Sequence, residues 1–350
     1  MFFGRVQGPC ALSSPRHRSH PNPLAFRVCR NWGSRRRALC SINDNKAMTA
    51  LITVRGTHIR IRGGPLRIGK LEAEKYQFIY DPPAMIEALK TCGTRIDLFT
   101  FLQRLPETSP KYSYPFVFDN LAVIPLTTFE HWWHEQIGNK TRNMIRHAER
   151  KGVVLREVAF DDSLVKGIWE VYNECPVRQG VPFRHYGKDL TTVHREEATF
   201  LESSTFIGAF VGETMVGFVK LVYDETGSQA GLMNIISMIR HRDKAPTNAL
   251  IAHAIKTCVQ RGVRYLVYSN FAYGKSKGKN GITDFKRNNG FVKVEVPRYY
   301  VPLTSLGWLG YRLGAHRTLV EIIPDSIASR LRRLRGAWYS RKNVAAESTL

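Results

Sequence analysis

A chain of 350 residues, 43% of them apolar, is long enough to bury at least one full core and, by length, to hold about two domains. Its longest apolar stretch, near Gly231 to Ile239, is broken by Asn234 and Ser237; nothing approaches the ~18 apolar residues of a membrane span, so a soluble, cytoplasmic protein is expected. The net charge of +23 says nothing about fold and leaves two readings open: a polyanionic partner such as nucleic acid, anionic lipid or a phosphate-rich cofactor, or simple solubility.

Residues 1–47 hold nine Lys/Arg against one acid, Asp44, and so carry +8, leaving +15 for the remainder. Pro9, Pro15, Pro21 and Pro23 interrupt any helix there. The stretch reads as a disordered tail, an organellar targeting peptide, or a start assigned ahead of Met48, and its removal is expected to leave the fold intact. From Met48 the pattern turns to strands: Ile52, Val54, Ile59, Ile61 and Ile68 alternate with polar residues, and Gly63-Gly64-Pro65 reads as a turn. Pro82-Pro83 opens a helix that Gly93 stops. Residues 96–103 and 115–124 read as strands, and Thr127-Thr128 caps a helix over Phe129 to Ile137.

A basic helix follows over Lys140 to Lys151, with Gly152 at its end and Arg142, Arg146 and Arg150 along one face, a stripe read as solvated. Val153 to Val158 is then a strand, and Asp161/Asp162 cap a helix with Leu164, Ile168, Val171 and Tyr172 on its apolar face. The loop Cys175 to Lys188 is polar and irregular, and a helix spans Asp189 to Leu201. Phe206–Phe210 and Met215–Tyr223 form a hairpin about Gly212-Glu213, and Gln229–Ile239 reads as a buried strand. A basic loop, Arg240 to Pro246, precedes a helix capped by Thr247 or Asn248 and ended by Gly262, and Tyr265–Asn270 is a strand again. After Pro302 the chain changes: Ile327, Leu331, Leu334 and Trp338 share one face of a basic helix, which docks on the body or makes peripheral membrane contact through residues 325–342. The six cysteines form no C-x-x-C and no His pair stands at zinc spacing, so neither a metal nor a disulfide framework is expected.

Strand, helix, helix, three strands, helix, strand from Val153 onward resembles the GNAT fold. Lys140-x-Arg142-x-x-Ile145-Arg146-x-Ala148-Glu149-x-x-Gly152-Val153 and Asp284-Phe285-Lys286-x-x-x-Gly290-Phe291 resemble the Fem-related (FemABX-like) branch of that superfamily. The resemblance covers about residues 50–302. It implies an α/β (α+β) class: a mixed, twisted GNAT-like sheet flanked by helices over 151–302, preceded over 48–150 by a smaller, degenerate GNAT-like half ending in the basic helix. Residues 303–350 would add basic amphipathic helices.

For function, the resemblance implies transfer of an acyl group to an amine. In GNAT folds the strand Gln229–Ile239 splays from Tyr265–Asn270, and its free backbone groups hold the acyl donor and its carbonyl oxygen. The donor, acyl-CoA (acetyl-CoA as the simplest), would meet Met238, Ile239, Arg240, Arg242, Lys244, Thr247 and Asn248, with its pyrophosphate at the helix N-terminus. The usual Arg/Gln-x-x-Gly-x-Gly/Ala loop lacks its glycines here, and Arg240, Arg242 and Lys244 would supply charge instead. Some Fem-type proteins take an aminoacyl-tRNA, so tRNA or another polyanion is the alternative partner; a non-catalytic polyanion binder is the rival from another class. Glu174 or His185 is the candidate base, Tyr273 the proton donor with Tyr268 as its rival, and Lys286 the cation facing charge near the reacting group. Arg178, Arg184, Tyr186 and Lys188 would receive the acceptor, a small molecule or a peptidoglycan-precursor-like amine. Each also has a plainer reading as a surface side chain.

Overall fold

The computed structural model describes residues 49–315 apart from Lys75, Gln179 and residues 273–280. The expectations for 1–47 and for the helix over 325–342 therefore lie outside the described residues. Strands β1 (Thr49–Val54), β2 (Thr57–Arg62) and β3 (Ile68–Leu71) form an antiparallel meander. Its first turn is Arg55-Gly56, both at positive φ (49° and 75°), as a two-residue hairpin requires; the sequence pattern had pointed only to the glycine-proline turn that follows. Helix α1 (Pro82–Thr91) starts where the Asp81 side chain accepts from Ala84 N and buries Met85, Ile86 and Leu89. Then come β4 (Leu98–Leu102), buried throughout, and β5 (Phe116–Pro125). Thr128 caps α2 (Phe129–His131) as expected, but the helix then widens into a π turn over Trp132–Gln136.

Helix α3 (Asn139–Arg150) leads into β6 (Val153–Val158) and α4 (Asp162–Asn173), capped by Asp161. The segment expected to be irregular contains a small ladder, β7 (Val177–Arg178) against β8 (Val181–Pro182). Helix α5 (Leu190–Glu197) precedes β9 (Ser204–Val211), β10 (Thr214–Tyr223) and β11 (Gln229–Ser237). It ends four residues before the expected Leu201, because buried Lys220 collects the carbonyls of Glu197 and Thr199. A 3-10 turn, Ile239–Lys244, replaces the expected basic loop. Helix α6 (Pro246–Gln260), β12 (Tyr265–Asn270), α7 (Gly281–Asn288), β13 (Val292–Pro302) and α8 (Ser305–Arg312) complete the described chain.

Neither Thr247 nor Asn248 caps α6. Ala245, in the left-handed region at φ 52°, is the cap residue and Pro246 is the first helical position, where its missing N–H costs nothing. Both polar side chains have other partners: Thr247 Oγ1 lies 2.6 Å from Ser237 Oγ, and Asn248 Nδ2 donates to Asn289 Oδ1 at 3.1 Å.

Among the described residues eleven strands make one sheet in the order β1-β2-β3-β4-β13-β5-β12-β11-β10-β9-β6. The order mirrors itself about the β13–β5 pair. On one side β3 and β4 run parallel with α1 between them in sequence; on the other β11 and β12 run parallel with α6 between them. Each half lends its last strand to the other: β13 lies between β4 and β5, and β5 lies between β13 and β12. The described residues of 49–150 and of 151–302 thus share one sheet. Helices α3 and α6 cover one face of the second half, with Ile255 of α6 packed over Ile207, Val219 and Leu221; α4 and α5 cover the other, with Ile168 and Val171 of α4 packed over Phe206 and Phe218.

Candidate active site

The site begins where two parallel strands part. β11 and β12 pair over only three residues, Gln229 to Gly231 against Tyr265 to Val267. Past that point β12 breaks its register with β5 between Val267 and Asn270, and Ser269 takes φ 51°. On the other strand, an irregularity between Lys220 and Leu221 of β10 leaves Met233 as an extra residue, since Asn234 pairs with Lys220 and Leu232 with Leu221. A bulge of this kind bends the strand and re-aims its side chains. The edge of β11 from Leu232 to Ser237 therefore faces a gap rather than a ladder with β12.

Lys286 stands on the β12 side. It is fully buried on α7, donates from Nζ to the Asn270 carbonyl at the end of β12, and lies 4.6 Å from the Tyr268 ring centre. Asn289 fixes α7 in turn: its carbonyl accepts from Trp132 Nε1 and its side-chain oxygen from Asn248. Thr141 of the connecting helix donates to the Asn288 carbonyl. The two segments that carried the Fem-like resemblance are thus in direct contact. Tyr273 lies outside the described residues.

Glu174 and Arg178 meet at the end of β11. The Glu174 carboxylate accepts from the backbone N–H groups of Ile239 and Arg240 at 3.0 and 2.8 Å, capping the 3-10 turn. Arg178 donates to the Ser237 and Val171 carbonyls at 2.8 and 3.0 Å, with its guanidinium 4.3 Å from the Phe183 ring centre. Both side chains are tied to the chain itself, a geometry that suits holding the turn rather than taking a proton or gripping a substrate. Arg240 and Arg242 are exposed, and Lys244 is half-buried beside Asp243. The Met238 side chain is buried in the α4/α5 core.

His185 lies in a separate nest. Its ring centre lies 4.3 Å from that of Tyr172, the planes tilted by 30°, Arg184 Nε donates to its Nε2 at 2.9 Å, and Lys188 Nζ is 3.1 Å from its Nδ1. Burial first, and then the Lys188 and Arg184 cations, push its pKa down to about 4, so near neutral pH it is uncharged and only a weak base. Tyr186 is exposed, and Lys188 also pairs with Glu196. The basic stripe divides: Arg142 donates to the Trp133, Ile137 and Asn139 oxygens, Arg146 lies over the Trp133 ring, and Arg150 is exposed.

One cluster had no counterpart in the sequence reading. Glu197, 2% exposed, accepts from the Tyr172 hydroxyl at 2.7 Å and from Asn234 Nδ2 at 2.9 and 3.1 Å. Lys220, fully buried on β10, supports the backbone behind it, and burial lowers its pKa to about 8 against the opposing pull of Glu197. The available signal was a polar residue inside an apolar run: Lys220 in β10 and Asn234 in β11.

No protein-family model matches the sequence, and no curated protein does. Solved structures do. The C-terminal domain assigned to a lysylphosphatidylglycerol synthetase of Agrobacterium fabrum superposes with a TM-score of 0.51 at 12% identity, over 75% of this chain and 87% of that one. FemX superposes with a TM-score of 0.50 at 11% identity, over 77% of this chain and 90% of that one. The chain has a Fem-like GNAT fold. Helix α6 stands at one face of the parted strands β11 and β12, and α4 and α5 stand at the other. The candidate residues then fall into three groups: Lys286 and Tyr268 on β12 and α7; the cations and Glu174 around the 3-10 turn; and His185 with its neighbours beneath α4.

Proposed function

We propose that this protein transfers an acyl group to an amine. The observation that supports this most is the open edge of β11 from Leu232 to Ser237. Unpaired strand N–H groups along such an edge serve an acyl carbonyl, because they can stabilise the negative charge its oxygen gains. The amine nitrogen attacks the carbonyl carbon and the new C–N bond forms. The bond from that carbon to the carrier's sulfur or oxygen then breaks, and the amine proton passes to the departing group. Lys286, held at the end of β12, brings positive charge to this region.

Acyl-CoA is the first donor to test, with phosphates received by Arg240, Arg242, Lys244 and the α6 N-terminus. Aminoacyl-tRNA is the second, and specific contacts favour it. Glu174 already occupies two backbone N–H groups of the turn, and Pro246 has none to offer. His147 Nε2 lies 2.8 Å from the Asp243 carbonyl, which brings basic helix α3 alongside the turn and lengthens the cationic surface beyond the reach of a diphosphate.

Melting of the full chain with acetyl-CoA, CoA and a mixed aminoacyl-tRNA pool separates the two, since a ligand that binds the native state raises the melting temperature. The true donor also yields an N-acylated product from a primary amine. Arg242→Ala with Lys244→Ala is expected to weaken that donor about tenfold or more, with little change in melting, because exposed loop charges contribute little to stability. If neither donor shifts the melting temperature or gives product, the acyl-transfer reading fails.

A further inference from the structure

On the face of β11 opposite α6, the bulge turns Asn234 toward α5. Both of its Glu197 contacts run through Nδ2, to Oε1 at 2.9 Å and Oε2 at 3.1 Å. A carboxylate only accepts, so this contact also fixes which end of the amide is nitrogen. Oδ1 is left as the free end. It accepts no hydrogen bond among the described residues, and Asn234 is only half-buried, so that oxygen is not sealed away. Tyr76 comes to the same face of β11 from the first half of the chain, packed on Val222, Met233 and Phe200. Its ring lies so close over Gly231 that a Cβ there would sit 2.3 Å from it, and its hydroxyl has no hydrogen-bond partner among the described residues. Burial, and then the nearby Glu197 charge, raise the Tyr76 pKa.

We propose that Asn234 and Tyr76 receive the acceptor amine, with Glu197 as the positioning residue that aims the Asn234 oxygen. This rests on the acyl-transfer reading. The anionic carrier is drawn to the cations at the start of α6, so the amine must reach the carbonyl from the opposite face of the parted strands. There it finds two oxygens able to accept N–H bonds and a buried carboxylate behind them. The chemical class recognised is a primary amine, and an alcohol of the same shape lacks the N–H donors to satisfy both oxygens.

The test uses the full chain, labelled with 15N at asparagine, and n-butylamine as probe with n-butanol as control. n-Butylamine is expected to shift the Asn234 side-chain signal saturably and n-butanol to leave it unmoved. Asn234→Ala should weaken n-butylamine binding about tenfold or more, the worth of a hydrogen bond to a charged group, and Tyr76→Phe, which keeps the ring over Gly231, about threefold. Glu197→Gln should weaken it as well and broaden the Asn234 signal. The site is overturned if n-butylamine does not bind at about 100 mM, if n-butanol shifts the signal equally, or if Asn234→Ala and Tyr76→Phe both bind like the parent. Two further results keep this inference apart from the acyl-transfer reading. Binding through Asn234 with no N-acylated product from either donor keeps the site and sinks the reaction. N-acylation with unchanged KM for the amine in both variants keeps the reaction and sinks the site.

Discussion

His185 is a base held where a proton is unwelcome. Its pKa is about 4 in the fold, against an ordinary 6.5. Between those values the unfolded chain takes up a proton that the folded chain refuses, so stability is full above about pH 6.5 and falls as the pH drops toward 4, by up to about 3 kcal/mol. His185→Gln removes the titrating group. The gap in urea stability between parent and variant should therefore shift in the variant's favour on going from pH 7 to pH 4.5; a gap that stays constant would show that His185 is not the group responsible. As a residue, His185 was visible in the sequence; its surroundings were not. The same holds for Lys220, a lysine in an apolar strand whose partners, Glu197 and Thr199, are more than twenty positions away. Nothing local to either position encodes the burial that sets its pKa.

Among the elements, the 3-10 turn after β11 is held from outside by Glu174 and Arg178. One carboxylate accepts two turn N–H groups, while one guanidinium ties the last β11 carbonyl to α4. Glu174→Ala should destabilise the protein by about 1–2 kcal/mol, the usual cost of a lost cap. Arg178→Met should be less damaging in the Glu174→Ala background than alone, with a coupling of about 0.5–1 kcal/mol in a denaturation double-mutant cycle; strict additivity would mean that the two act separately. Element type was largely legible, because period-2 runs such as Ile59 and Ile61 and capping residues such as Asp161 and Thr128 are local signals. The α6 cap was not. Thr247 and Asn248 have the chemistry of caps, but Ser237 and Asn289 claim their side chains, and both partners come from other elements.

Across the whole molecule, the exchange of β5 and β13 decides what can fold alone. A fragment of residues 49–152 has nothing between β4 and β5, and one of residues 153–315 has nothing between β12 and β13. Each leaves two strands with open edges, which invite aggregation. Neither fragment is expected to melt cooperatively by itself, and co-expression should recover a complex that does; a stable, monomeric 153–315 would contradict this. The diverging pair β11 and β12 was legible through the GNAT resemblance that the succession of strands and helices carries. The exchange was not, because pairing such as Asp119 with Val296 joins positions far apart in the chain and leaves no periodic trace. Its consequence reaches into how such a chain can change over generations. The first half brings Tyr76 over Gly231 and backs β12 with β5, so it cannot be deleted, swapped or cut away without opening the sheet of the second half. Substitutions on β5 and on β13 must answer to each other, so the two halves form a single heritable unit whose joint cannot be moved.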